Sequence, residues 1–146
     1  MANKLANPAP LGLMGFGMTT VLLNLVNAGI IPESIGMVLP MGLFYGGLAQ
    51  FLAGMWEMKT GNTFGATAFG SFGSFWMAFA LMVYFDGIGF FSYGPTDGIA
   101  AFLIIWGIFT ALMAVGTLRL NRALQVVFVT LALLFFLLAL ADATDN

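Results

Sequence analysis

The chain has no cysteine and no histidine. These absences exclude disulfide staples, thiol nucleophiles, the usual zinc ligand sets and the side chain that most often shuttles protons near neutral pH. Charge is almost as scarce. Charged residues are 7% of the 146, with four Lys+Arg against six Asp+Glu, where a soluble domain carries roughly a quarter. So few charges cannot cover a water-facing surface. No basic cluster is present to hold nucleic acid. No acid/base pair, nucleophile–base pair or metal cluster is present either, so the chain reads as neither an enzyme nor a cofactor or metal protein. The ~10-residue alternating segments of a membrane β-barrel are missing. The apolar stretches recur along the chain, unlike the single short stretch of a signal peptide.

What is present is apolar. Hydrophobic residues are 61% of the chain and the mean hydropathy is +1.02. The runs are each near the ~20 residues that a helix needs to cross ~30 Å of hydrocarbon. The sequence therefore predicts an all-α integral membrane protein, a single membrane domain over 1–146, with five transmembrane helices at about 8–28, 33–58, 63–85, 99–118 and 123–141. Asn7 caps the first helix and Pro8 suits its first position. Gly29 to Pro32 is a turn, and Pro40 bends the second helix. Gly61-Asn62 breaks and recaps the chain. Asp86 to Gly98 is the longest loop, with Gly94-Pro95 as its turn signal. Arg119 to Arg122 is a short basic link, and Asp142 to Asn146 is a polar end.

The charges give the orientation. Threading five helices puts Lys4, Lys59, Arg119 and Arg122 on one side, with Glu57 as its sole acid. Glu33, Asp86, Asp97, Asp142 and Asp145 fall on the other. Positive residues stay cytoplasmic, so the N-terminus is inside a multi-pass protein of the cell (plasma or inner) membrane. One crossing more or fewer would scramble this sorting. No charge lies in the middle of a helix, which argues against an intramembrane side-chain proton relay and for a channel-like path. Trp56, beside Glu57 and Lys59, fits an interfacial anchor.

The first, third and fifth helices all start on the cytoplasmic side, each with an Asn at or just before its start: Asn7, Asn62 and Asn121. Nine or ten residues later each has a bulky apolar side chain, Phe16, Phe72 or Leu131. That spacing puts the side chain ~15 Å deep, near the bilayer midplane. A threefold hairpin pseudo-repeat would bring the three together as an apolar ring able to gate a pore by dewetting. It would also gather three helix N-termini, with their unpaired N–H groups, into an anion site at the mouth. Coincidence is the alternative, because Asn is a common cap and the chain has 16 Phe.

The glycines of the first three helices have two readings, close helix packing or backbone exposed to a pore. The embedded polar residues Thr19, Thr20, Asn24, Gln50, Ser71, Ser74 and Thr110 bond between helices by default. Thr19, Thr20, Asn24 and Gln50 are the candidate solute contacts, the two amides foremost because they can donate to a carboxylate.

Asn7-Pro8-Ala9-Pro10-Leu11-Gly12-Leu13 resembles the signature of the acetate uptake transporter family, the succinate–acetate permeases. Leu13 to Thr20, Phe44 to Gln50, Gly61 to Gly65, Trp106 to Thr110 and Gly116 to Arg119 are similar to the same family, in the same order. The resemblance implies homo-hexamers with a pathway in each protomer. They take up acetate and in some members succinate, with proton linkage in some. It implies an apolar constriction at the positions of Phe16, Phe72 and Leu131, with Phe72 standing where Tyr is expected. It also implies a sixth helix beyond the five read in these residues. The leading expectation is membrane transport of small carboxylates. The alternatives are a channel for urea or another small neutral solute, and a non-conducting membrane interaction subunit; membrane lipids are partners in every case.

Overall fold

A computed structural model of the chain describes residues 5–92 and 96–144, apart from the side chains of 96 and 97. Lys4, the Gly94-Pro95 turn, the Asp97 side chain, Asp145 and Asn146 lie outside the described residues. Those residues are almost wholly helical, and five of the helices are long and apolar enough to cross a membrane. The chain divides into two compact units, Met1–Phe91 and Ser92–Asn146.

The first unit holds three helices. α1 spans Ala9–Asn27, α2 is a continuous helical path over Pro32–Thr60, and α3 spans Thr63–Gly87. The 19 residues of α1 reach about 28 Å at 1.5 Å each, enough for the hydrocarbon core. α2 changes character along its length. It opens with a 3₁₀ turn at Pro32–Ser34, continues as α-helix over Ile35–Met41, winds as π-helix over Gly42–Ala49 and returns to α-helix over Gln50–Thr60. The expected feature at Pro40 is therefore more than a bend. Proline offers no N–H to the preceding turn, and the wider i→i+5 winding follows two residues later. In that winding the Gln50 N–H reaches back to the Tyr45 carbonyl. π-segments of this kind are rare and cluster at functional sites. Gly61 ends α2 in the left-handed conformation, φ +78°, which a glycine adopts without steric cost.

Glycines set the spacing between these helices. A Cβ at Gly54 would lie 2.5 Å from the Gly70 backbone nitrogen. One at Gly73 would lie 2.6 Å from the Phe51 nitrogen and 2.8 Å from the Gly47 carbonyl oxygen. α2 and α3 thus touch backbone to backbone, and packing is the role of these glycines. α1 sits against both partners in the same way. A Cβ at Gly12 would meet the Phe69 ring at 2.6 Å, and one at Gly15 the Tyr45 carbonyl oxygen at 2.7 Å. Gly17 has nothing within 4 Å, so packing does not account for it.

The second unit is a helical hairpin, α4 over Thr96–Thr117 and α5 over Arg122–Thr144. Gln125 Nε2 donates to the Thr117 carbonyl across the link at 3.3 Å. Gly107 gives room to Phe136, whose ring lies 2.8 Å from where a Cβ would stand. Phe128, Leu131, Ala132, Phe135 and Ala139 form one buried stripe at helical spacing on α5. Outward residues such as Leu112, Val129 and Leu133 are large, apolar and exposed, as a lipid-facing surface requires.

Gly73→Ala should force α2 and α3 apart at a point where only backbone can yield, costing about 1–3 kcal/mol. Thermal unfolding in detergent should show a lowered midpoint for Gly73→Ala, and none for Gly87→Ala, where a Cβ meets nothing within 4 Å.

Candidate functional site

The signature segment builds the start of α1. Asn7 Oδ1 accepts the Ala9 N–H at 3.0 Å, with Pro8 as the boundary residue. Pro8 and Pro10 sit where helix N–H groups have no carbonyl to reach, so their missing donors cost little. Gly12 is buried and receives Phe69, while Leu11 and Leu13 are exposed. The other two caps form as expected. Asn62 Oδ1 accepts the Gly65 N–H at 3.0 Å and Asn121 Oδ1 the Leu124 N–H at 2.9 Å. Each cap occupies one first-turn N–H and leaves the turn's partial positive charge in place.

Two of the three bulky residues are brought together. Phe16 on α1 and Phe72 on α3 have ring centroids 5.2 Å apart, tilted by 60°. Phe72 is 2% exposed and Phe16 half-buried. An aromatic pair in this geometry contributes about 0.5–1.5 kcal/mol beyond its burial. Leu131 is buried within the stripe of α5, in the second unit.

The candidate solute contacts divide. Thr19 Oγ1 donates to the Gly15 carbonyl, Thr20 Oγ1 to the Phe16 carbonyl and Asn24 Nδ2 to the Thr20 carbonyl, all at 2.8 Å. These donors are spent on the preceding turn of α1, as Ser and Thr in apolar helices often are. Thr19 is also packed against Gly46 of the π-segment. Gln50 differs. It is 1% exposed, and its Oε1 is buried without a hydrogen-bond donor.

Glu57 is the residue whose burial the sequence reading did not anticipate. Beside Trp56 and Lys59 it reads as an interfacial charge. Trp56 and Lys59 behave that way, with Lys59 Nζ 4.7 Å above the exposed Trp56 ring. Glu57 points the other way and is 2% exposed. Its Oε2 accepts from Asn62 Nδ2 at 2.8 Å and from Thr60 Oγ1 at 3.2 Å. Its Oε1 is buried and accepts nothing. The signal for this was present: Gln50, Ala53, Gly54 and Glu57 recur at helical spacing, and all four are buried. The start of α3 is thus not an open anion site. A buried carboxyl already stands there, 2.9 Å from where a Gly65 Cβ would be.

The family described as GPR1/FUN34/yaaH family matches residues 1–146. The succinate-acetate/proton symporter SatP of Escherichia coli is 50% identical over 143 residues, covering 98% of this chain and 76% of the relative. Acetate permease A of Emericella nidulans is 44% identical over 149 residues, covering 94% of this chain and 49% of the permease. Among solved structures, the bacterial acetate channel SatP superposes with a TM-score of 0.93 at 50% identity, covering 98% of this chain and 78% of that one.

The two polar caps should differ in weight. Asn121→Ala removes a cap alone and should cost about 1 kcal/mol. Asn62→Ala removes a cap and also a donor to a buried carboxyl, adding about 1–3 kcal/mol. Unfolding midpoints in detergent should therefore fall further for Asn62→Ala.

Proposed function

The chain belongs to the GPR1/FUN34/yaaH family, and from that premise we propose that it carries acetate, and succinate or a related small carboxylate, across the cell membrane by a channel-like path in each protomer. The observation that carries this reading is the meeting of Phe16 and Phe72 at matching depths on α1 and α3, in a chain that follows an acetate channel in sequence and fold. Leu131, ten residues after Asn121, is the third residue that the family resemblance assigns to the neck. The sorting of cations and acids supports a cytoplasmic N-terminus, and the family resemblance supports a homo-hexamer.

The chemistry follows from the solute. Acetate is almost wholly ionised at neutral pH, since carboxyl pKa values lie near ~4. The capped start of α1, which holds no carboxyl, attracts the anion without a lysine. The aromatic neck then holds no stable water column, so passage requires brief wetting or loss of the solute's shell. With Phe72 in place of Tyr, the neck offers the solute one hydroxyl fewer, which favours the less hydrated species. Gln50 packs near Gly15, one residue from Phe16. A 180° turn of its terminal amide would present donors in place of Oε1.

Labelled acetate should enter proteoliposomes faster than empty vesicles, and unlabelled urea should not compete with it. No uptake by a well-folded oligomer would favour an interaction subunit, and competition by urea a neutral-solute channel. Phe72→Ala should widen the neck and raise succinate entry relative to acetate by about tenfold, the effect of ~1.4 kcal/mol on a barrier. Wild-type selectivity in Phe16→Ala, Phe72→Ala and Leu131→Ala alike would remove the neck assignment. Native mass spectrometry should give the mass of six chains.

A further inference from the structure

One buried ionisable side chain has no task in this scheme. Glu57 lies in the last turn of α2 at 2% exposure, and among the described residues the two groups that hydrogen-bond its carboxyl, Thr60 and Asn62, are uncharged. Lys59, the nearest cation in the chain, is turned to Trp56. α1, which packs on α2, carries no charged residue, and on α3 the titratable groups, Tyr84 and Asp86, stand at the opposite end.

The carboxyl is used unevenly. Both side-chain donors converge on Oε2, and Oε1 is buried with none. A proton taken up at Oε1 displaces nothing, so the clasp formed by Asn62 and Thr60 survives in either charge state. Asn62 in turn accepts the Gly65 N–H, which links the carboxyl to the first turn of α3, the helix that carries Phe72.

We propose that Glu57 Oε1 is the proton-binding site that couples proton movement to carboxylate transport, an inference that rests on the carboxylate reading above. The coupling is a competition between two anions for one helix start. Ionised, Glu57 itself supplies the negative charge that the positive end of α3 favours. Protonated, it withdraws that charge, and the remaining first-turn N–H groups attract the solute carboxylate instead. Proton binding and solute binding then favour each other, and the same coupling acts in both directions. The step is a single protonation at Oε1, reversed when the solute leaves, with no other bond formed or broken.

The test has two arms. In acetate-free wild type in lipid nanodiscs, infrared difference spectra on acidification should contain a protonated-carboxyl C=O band that is lost in Glu57→Gln and kept in Asp86→Asn. In proteoliposomes, Glu57→Gln should still exchange labelled acetate but lose accumulation driven by an acidic outside, and Glu57→Asp should keep it. Gradient-driven accumulation in Glu57→Gln equal to wild type overturns the proposal, as does a wild-type spectrum without such a band. If Glu57→Gln does not fold, a displaced band in Glu57→Asp supports the assignment and an unmoved band overturns it. Absence of acetate exchange in wild type overturns the carboxylate reading instead, while the infrared arm still reports whether Glu57 binds the proton.

Discussion

In a bilayer, apolar side chains gain little by leaving lipid for another helix, so helices hold together through close packing and the few polar bonds they share. Here that closeness comes from glycine. Gly54 against Gly70, and Gly73 against Phe51 and Gly47, bring the α2 and α3 backbones into contact. Everything at the site depends on that spacing. It fixes the height of Phe72 relative to α2, and it places Gly65 beside Glu57. Through Gly12 and Phe69 it also sets where α1, and so Phe16, meets α3. A methyl group at any of these contacts would displace the helices that carry the aromatic pair.

The same economy governs polarity. Thr19, Thr20 and Asn24 return their donors to their own helix, which leaves few free hydrogen-bonding groups in the first unit. Among the described residues, Gln50 and Glu57 are the two whose buried side-chain oxygens lack donors, and both lie on one face of α2. Under the proposed function, the aromatic pair and this polar face have separate tasks. Aromatic rings exclude water, while a buried amide and carboxyl keep unused hydrogen-bonding capacity at fixed positions.

Much of this was legible in the sequence. The five membrane-length helices and the three Asn caps follow from run length and cap chemistry, whereas the spacing of Phe16 and Phe72 left coincidence open and it was the family resemblance that favoured their pairing. The π-segment was not legible. Winding can be read only where apolar and polar residues alternate in phase, and Gly42–Ala49 has no polar side to mark its period apart from Tyr45. The burial of Glu57 was obscured by its neighbours, because Trp56 and Lys59 together describe an interface so well. The stripe from Gln50 through Gly54 to Glu57 carried the contrary signal. Satisfaction of Thr19, Thr20 and Asn24 by the preceding turn depends on side-chain rotamers, which composition does not specify.

The proposed function turns on Phe16 and Phe72, with Leu131 as the third residue the family resemblance assigns, lining the solute's path, whereas exposed residues such as Val21 and Val129 do not. A chain without cysteine permits a direct measurement, the reaction of single introduced cysteines with a small hydrophilic thiol reagent in intact membranes. The account predicts reaction at Phe16→Cys, Phe72→Cys and Leu131→Cys that acetate slows, and none at Val21→Cys or Val129→Cys. Inert cysteines at 16 and 72, or reaction there that acetate leaves unchanged, would contradict it.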